Sequence, residues 1–158
     1  MGNLRESIRE AVPDDLPAIV ALAKNAVIAA QWSLEHYEAI FRAGGTHRIA
    51  LVAVEKSRHD EPRVQGFIVA QAIACEWEIE NIAVDTSVQR RGLGQRLLVH
   101  LLEIARAKGA KSVFLEVRES NSIARSFYEN ASFSEGGRRK RYYENPKEDA
   151  ILYRLELA

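Results

Sequence analysis

The chain has 158 residues, 47% hydrophobic and 28% charged, with 22 basic residues balanced by 22 acidic ones. This length predicts a single domain over residues 1–158, with a core large enough to need no disulfide or metal staple. The balanced charge excludes a general electrostatic pull toward nucleic acid or membrane, and no run approaches the about 18 apolar residues of a membrane span.

The opening MGNLRESIREAV lacks the apolar stretch of a signal peptide, and Glu6 stands where a myristoylation pattern wants Ser or Thr. The chain therefore reads as cytoplasmic. The single cysteine, Cys75, excludes an internal disulfide and a Cys-rich metal site. It closes the apolar run from Phe67 and is expected to be a buried core thiol.

Ser7 to Val12 alternates as a short strand. Pro13-Asp14-Asp15-Leu16-Pro17 reads as a helix start, followed by Leu16, Ile19, Val20, Leu22 and Ala23 at helical spacing. Ser33 is positioned to cap a second helix that stops at Gly44-Gly45. Arg48–Glu55 and Val64–Ala74 read as strands joined by the polar SRHDEPR, and Glu76–Asp85 as a third. A helix from about Gly92 to Lys108 ends at Gly109. Ser112–Arg118 is a strand, Asn121 to about Asn130 a helix, and Phe133 leads into a basic strand or loop. Asp149–Leu157 closes as a strand. The order is β-α-α-β-β-β-α-β-α-β-β. The strand–helix–strand unit from Ile79 to Val117 predicts one parallel pair inside a mostly antiparallel sheet.

The segment that asks for an explanation is Gln89-Arg90-Arg91-Gly92-Leu93-Gly94-Gln95, between an apolar strand and a leucine-rich helix. A helix start offers unpaired N–H groups and partial positive charge, a ready anion site. Two glycines let a phosphate approach the backbone, and Arg90, Arg91 and Arg96 add cationic donors. A turn with solvated arginines is the plainer alternative. A dinucleotide fingerprint fails because Leu97 stands where its last glycine belongs, and a P-loop fails for want of Gly-Lys-Ser/Thr.

Q-R-R-G-L-G after Ile82-Ala83-Val84 resembles the acetyl-CoA loop of the GNAT superfamily of N-acetyltransferases. The resemblance runs through almost the whole chain. Asn81-Ile82-Ala83-Val84 is similar to that family's cofactor-facing strand, and Asn121-Ser122-Ile123-Ala124 with Phe127-Tyr128-Glu129-Asn130 to its following helix. Leu115-Glu116-Val117-Arg118, Arg141-Tyr142-Tyr143 and Glu148-Asp149-Ala150 narrow the likeness to ribosomal-protein-alanine N-acetyltransferases. The chain departs from the family in one place: Ser132, not Gly, precedes Phe133, where a left-handed helix stop suits glycine better.

The resemblance implies an α/β GNAT fold: a mixed, mostly antiparallel, splayed sheet flanked by helices in three layers. It implies acetyl-CoA as cosubstrate and an α-amine of a ribosomal protein or peptide as acceptor. The cofactor would be held by Ile82, Ala83, Val84, Gln89, Arg90, Arg91, Gly92, Leu93, Gly94, Gln95, Asn121 and Tyr128. The acceptor would meet Trp32, Glu80, Tyr142 and Tyr143. The oxyanion donor is implied to be a strand N–H near Ile82–Val84.

Acetyl transfer from a thioester needs a neutral amine, oxyanion stabilisation and a proton for the leaving thiolate. Neutralising a lysine at pH 7 costs about 4–5 kcal/mol, whereas an α-amine costs about 1–1.5 kcal/mol. One carboxylate base therefore suffices for an N-terminal acceptor. Glu116 interrupts the apolar strand Val113-Phe114-Leu115, where a buried carboxylate is costly without a purpose. The resemblance gives the matching Glu the role of base, through water, and Tyr128 the role of acid toward the sulfur. Glu80 is the alternative base, since other family members use a carboxylate on the cofactor-facing strand. The plainer readings are that Glu116 pairs with Arg118, that Glu80 faces solvent, that Tyr128 and Trp32 are core aromatics, and that Asn121 is a helix cap.

His36, His47, His59 and His100 are scattered without metal-ligand spacing, so no metal is expected. His100 reads as packed or half-exposed and His59 as solvated. The basic run Arg138-Arg139-Lys140-Arg141 before two tyrosines is either a solvated strand edge or a wall of the acceptor site. Three other functions stay open: acetylation of a small amine or internal lysine, RNA binding through that run, and acyl-CoA sensing without transfer. No membrane or specific nucleic acid partner is expected, and the chain should be a monomer or weak dimer.

Overall fold

The computed structural model describes residues 5–26, 29–42 and 47–157. Seven strands form one sheet in the order β1-β2-β3-β4-β5-β7-β6. They are β1 (Arg5–Glu10), β2 (His47–Lys56), β3 (Arg63–Ile73), β4 (Glu76–Val84), β5 (Ser112–Arg118), β6 (Ser134–Tyr143) and β7 (Glu148–Glu156). The helices are α1 (Leu16–Asn25), α2 (Leu34–Glu38), α3 (Leu93–Ala107) and α4 (Ser122–Asn130). The order of elements is the one the sequence predicts, and β4–β5 is the parallel pair in an otherwise antiparallel ladder.

Helices cover both faces. Leu93, Leu97, Leu98, Leu101, Leu102 and Ala105 of α3 recur at helical spacing and bury against Ile68, Ile82, Leu115 and Tyr153 on one face. Ala124 and Tyr128 of α4 join the same cluster. On the other face, Ile19, Leu22 and Ala23 of α1 and Tyr37 of α2 pack on Val52, Phe67, Val69 and Ala83.

Two irregularities shape the middle of the sheet. Between β3 and β4 the register steps from Val69↔Asn81 to Ala70↔Ile79, leaving Glu80 as the extra residue of a bulge. The bulge reverses the alternation, so Ile79 and Ile82 both face α3. The second irregularity is a parting of strands. β4 and β5 pair only at Glu76↔Ser112, Trp77↔Val113 and Glu78↔Phe114. From Ile79 onward the β5-facing edge of β4 has no strand partner among the described residues. This is the splayed sheet that the resemblance implies.

Two expectations are revised. Cys75 is exposed, not a core thiol. The apolar run carries on into the turn between β3 and β4, where Ala74 takes φ +53° and the chain leaves the covered sheet. Ser33 does cap α2, its hydroxyl accepting from the His36 N–H at 3.3 Å, but α2 ends at Glu38 and continues as a 3₁₀ turn, Ala39–Phe41. The expected stop at Gly44-Gly45 lies outside the described residues.

Candidate active site

Where β4 and β5 part, a cavity of about 460 Å³ opens. Its walls bring together Trp32, Glu80, Ile82, Glu116, Asn121, Tyr128 and Tyr143, all singled out from the sequence. Tyr142 lies outside the lining and is 51% exposed. The side chain of Ala83 points the other way, into the α1–α2 core.

Trp32 reaches the cavity because of a buried asparagine. The Asn81 amide oxygen accepts from the Ala30 N–H at 2.8 Å, and its nitrogen donates to the Ala30 carbonyl and the Tyr37 hydroxyl. This pins the segment after α1 to the β4 bulge. Trp32 then stacks at a tilt on Tyr37, ring centres 5.2 Å apart. Sequence reasoning gave Asn81 no such role. A polar residue inside an apolar strand was the available signal, since a buried amide survives only with its partners met.

Tyr128 is fixed by the way α4 ends. Ser132 adopts φ +73°, its N–H donates to the Glu129 carbonyl at 3.1 Å, and the Phe133 N–H donates to the Tyr128 carbonyl at 3.0 Å. These two bonds, with Phe133 packed edge-on against Tyr128 at 5.5 Å, form a Schellman stop. Serine thus takes the left-handed position anticipated from the missing glycine. Burial alone raises the Tyr128 phenol far above its ordinary pKa of 10, so it holds its proton at neutral and moderately alkaline pH. Asn121 combines two roles: its side chain caps α4 by accepting from the Ala124 N–H at 3.1 Å, and it lines the cavity.

Carboxylates gather on the face opposite α3. The Glu80 carboxylate takes both arms of Arg48, at 2.8 and 3.2 Å. Glu116 meets Arg139 of β6 at 2.8 Å, not Arg118. Glu78, two residues before the bulge, was not singled out from the sequence. Its pKa is raised first by burial, then by the charges of Glu80 and Glu116. Only the bulge and the parting of strands bring these three groups together. Arg118 instead holds the β6–β7 turn, donating to the Glu144 and Pro146 carbonyls, and lies 4.5 Å over the Tyr143 ring. Burial, and then the charge of Glu116, push the Tyr143 phenol up to about 12.

On the α3 side, Gly92 takes φ +77° immediately before the helix. The first bond of α3 runs from the Arg96 N–H to the Gly92 carbonyl, leaving the amides of the first turn free of intrahelical partners. A Cβ at Gly94 would come within 3.3 Å of the Phe127 ring, so the loop lies hard against α4. Arg96 is engaged by Glu6 at 2.6 Å, whereas Arg90 and Arg91 are exposed. Glycines at the turn, open amides and the unpartnered edge of β4 suit a phosphate-bearing, amide-rich ligand. Among the described residues no cluster of His, Cys, Asp and Glu is arranged to hold a metal ion, and no helix is long and apolar enough to cross a membrane.

A profile of the acetyltransferase (GNAT) family matches residues 30–133, which span the bulge, the glycine loop and α4. The chain belongs to that family. It is 39% identical over 100 residues to the [ribosomal protein bS18]-alanine N-acetyltransferase of Salmonella typhimurium, covering 62% of this chain and 68% of that protein. The Escherichia coli K12 protein of the same name is 38% identical over 98 residues, covering 61% of this chain and 66% of that one. These matches thus span about two thirds of the relatives' length. The crystal structure of the ribosomal-protein-S18-alanine N-acetyltransferase from Escherichia coli superimposes with a TM-score of 0.79 at 30% identity, over 98% of this chain and 95% of that one. Arabidopsis thaliana NAA60 in complex with acetyl-CoA shares the fold, with a TM-score of 0.84 at 18% identity over 97% and 99% of the two chains.

Proposed function

We propose that this GNAT acetyltransferase acetylates the N-terminal α-amine of an alanine-initiated ribosomal protein, the counterpart of S18, in the cytoplasm. The observation that carries the reading is that Glu116 and Tyr128 line one cavity at the point where β4 and β5 part. The acceptor named for the Salmonella and Escherichia coli relatives supplies the substrate class.

Acetyl-CoA, when bound, supplies a thioester carbonyl for attack and a sulfur that departs as thiolate. The first-turn amides of α3 at Leu93, Gly94 and Gln95, with Arg90 and Arg91, would hold its diphosphate. The open edge of β4 from Ile82 to Val84 would pair with its amide arm and offer an N–H to the oxyanion. Asn121 would border the same ligand.

Glu116 takes the proton of the α-ammonium, directly or through water. Its competitor Glu80 is less suited. Arg48 occupies both Glu80 oxygens in a pair whose side chains are 22% and 13% exposed, and a paired, forked contact of that kind is slow to give up a carboxylate. Glu116 instead has its nearest ion-pair contact from Arg139, an arginine that is 63% exposed. Tyr128 keeps a proton at its hydroxyl for the departing sulfur. Trp32 and Tyr143 wall the acceptor channel, with Tyr142 at its rim.

The basic run on β6 favours this reading over RNA binding. Arg138 is tied to Asp149 and Glu119 at 2.8 and 2.9 Å, and Arg139 to Glu116. Two of its four cations are thereby spent inside the fold. The test is mass spectrometry of an alanine-initiated, basic peptide incubated with the protein and acetyl-CoA. Gain of one acetyl group on that peptide, and none on an N-terminally blocked, lysine-containing copy, is the expected result. Acetylation of the blocked copy would replace the reading with lysine acetylation.

A further inference from the structure

Arg139 reaches across the sheet to touch Glu116. On β7 its partner is Ala150, while that of Glu116 is Leu152, so the side chain spans the intervening strand. It ends with Nε 2.8 Å from one Glu116 oxygen. The carboxylate is 13% exposed and lines the acceptor cavity; the arginine is 63% exposed, at the sheet edge. Its guanidinium also lies 5.2 Å over the Tyr142 ring. Past Arg139 the β6–β7 pairing is irregular as far as Tyr143, with Arg141 at φ +53°. The arginine therefore sits at the start of a stretch not locked into the ladder.

A carboxylate that must accept a proton from a cationic amine is, in this state, already occupied by a cation. We propose that Arg139 is a latch on Glu116: it holds the carboxylate while the acceptor site is empty and yields it to the acceptor's α-ammonium. The inference rests on Glu116 being the base. The exchange swaps one cation for another at the same oxygen, so no unpaired charge is left in the cavity at any stage. An ion pair whose arginine stands at the exposed sheet edge can be displaced, and the Tyr142 ring, already beneath the guanidinium, keeps it a cation–π seat once released. The Arg48–Glu80 pair beside it has neither property. It is forked and largely buried, and it stays closed. Arg139 thereby becomes a specificity-determining residue. A charged amine opens the latch, whereas an N-terminus without charge has nothing to offer Glu116 in exchange.

The test is a double-mutant cycle on peptide binding, read by calorimetry with CoA present so that no acetyl group is transferred. The proteins are the parent, Arg139→Ala, Glu116→Gln, the double variant and Arg139→Lys. If the latch operates, Arg139→Ala tightens the Kd of the alanine-initiated peptide by about two- to five-fold, the scale of a solvent-screened ion pair. The tightening disappears in the Glu116→Gln background, and Arg139→Lys stays near the parent value. In turnover with acetyl-CoA, the change in Arg139→Ala falls on KM more than on kcat. Equal tightening in both backgrounds would mean simple repulsion of a basic peptide and would overturn the proposal. So would weaker or unchanged binding in Arg139→Ala, the former marking Arg139 as a direct contact of the acceptor. A Glu116→Gln protein that still turns over at the parent rate would sink the base assignment instead, and the binding cycle reports that case separately.

Discussion

The guanidinium of Arg48 engages both oxygens of the Glu80 carboxylate, through Nε at 2.8 Å and a terminal nitrogen at 3.2 Å. The contact ties β2 to the β4 bulge where the strands begin to part. It places a paired carboxylate in the wall of the candidate site. Glu80→Ala is expected to cost about 1.5–3 kcal/mol of stability, the range for a hydrogen bond to a charged group. Its effect on turnover should be smaller than that of Glu116→Gln. Thermal melts and steady-state kinetics on the two variants separate these roles; a Glu80 variant that keeps its stability and loses turnover would reverse them.

Ser132 holds a left-handed conformation, φ +73°, to close α4 beneath Tyr128. A side chain pays for that conformation where glycine does not. Ser132→Gly should therefore stabilise the protein by about 1 kcal/mol and raise the melting midpoint by about 2–4 °C. Unchanged or lower stability would show that the serine side chain earns its place through some other contact.

Gly94 packs closely against the Phe127 ring, which an added Cβ would approach to 3.3 Å. Gly94→Val is expected to push the loop off α4 and weaken acetyl-CoA binding about ten-fold or more, through overpacking of about 1–3 kcal/mol. Acceptor KM should move much less. Isothermal titration with CoA gives the first number and peptide kinetics the second.

The Tyr128 phenol is raised by burial, so the folded protein keeps it protonated where the unfolded chain ionises. Its contribution to stability is complete below the ordinary pKa of 10 and declines as pH climbs beyond it. In the same way, loss of this proton should not limit turnover below about pH 10. Tyr128→Phe should lower kcat by about a hundred-fold or more, the scale of a lost general acid, with the melting point little changed. Turnover close to that of the parent would remove Tyr128 from the reaction.

Much of the site was legible because local chemistry announces it. The glycine-arginine loop needs only the strand before it and the helix after it, and both can be read from periodicity. Glu116 stands out as a carboxylate in an apolar strand, whereas Tyr128 is picked out only by the resemblance of its helix to that of the family. What was missed depends on register. Glu78 matters because a bulge at Glu80 and an early parting of β4 from β5 bring three carboxylates together. Arg139 matters because its side chain crosses a strand that is remote in sequence. Cys75 was misread because an apolar run says nothing about where a hairpin turns, and Ala74 turns it one residue earlier.

The most direct test of Glu116 as the base is the pH dependence of kcat/KM for an alanine-initiated peptide with the parent protein and Glu116→Gln. Glu80→Gln and Glu78→Gln serve as controls. The predicted result is a fall of about a hundred-fold or more in Glu116→Gln, steepest near neutral pH and partly recovered at high pH as the α-amine loses its proton unaided. The controls should stay within about ten-fold of the parent. A Glu116→Gln protein with the parent's rate and pH profile, or a larger loss in either control, would contradict the account and move the base to the other carboxylate.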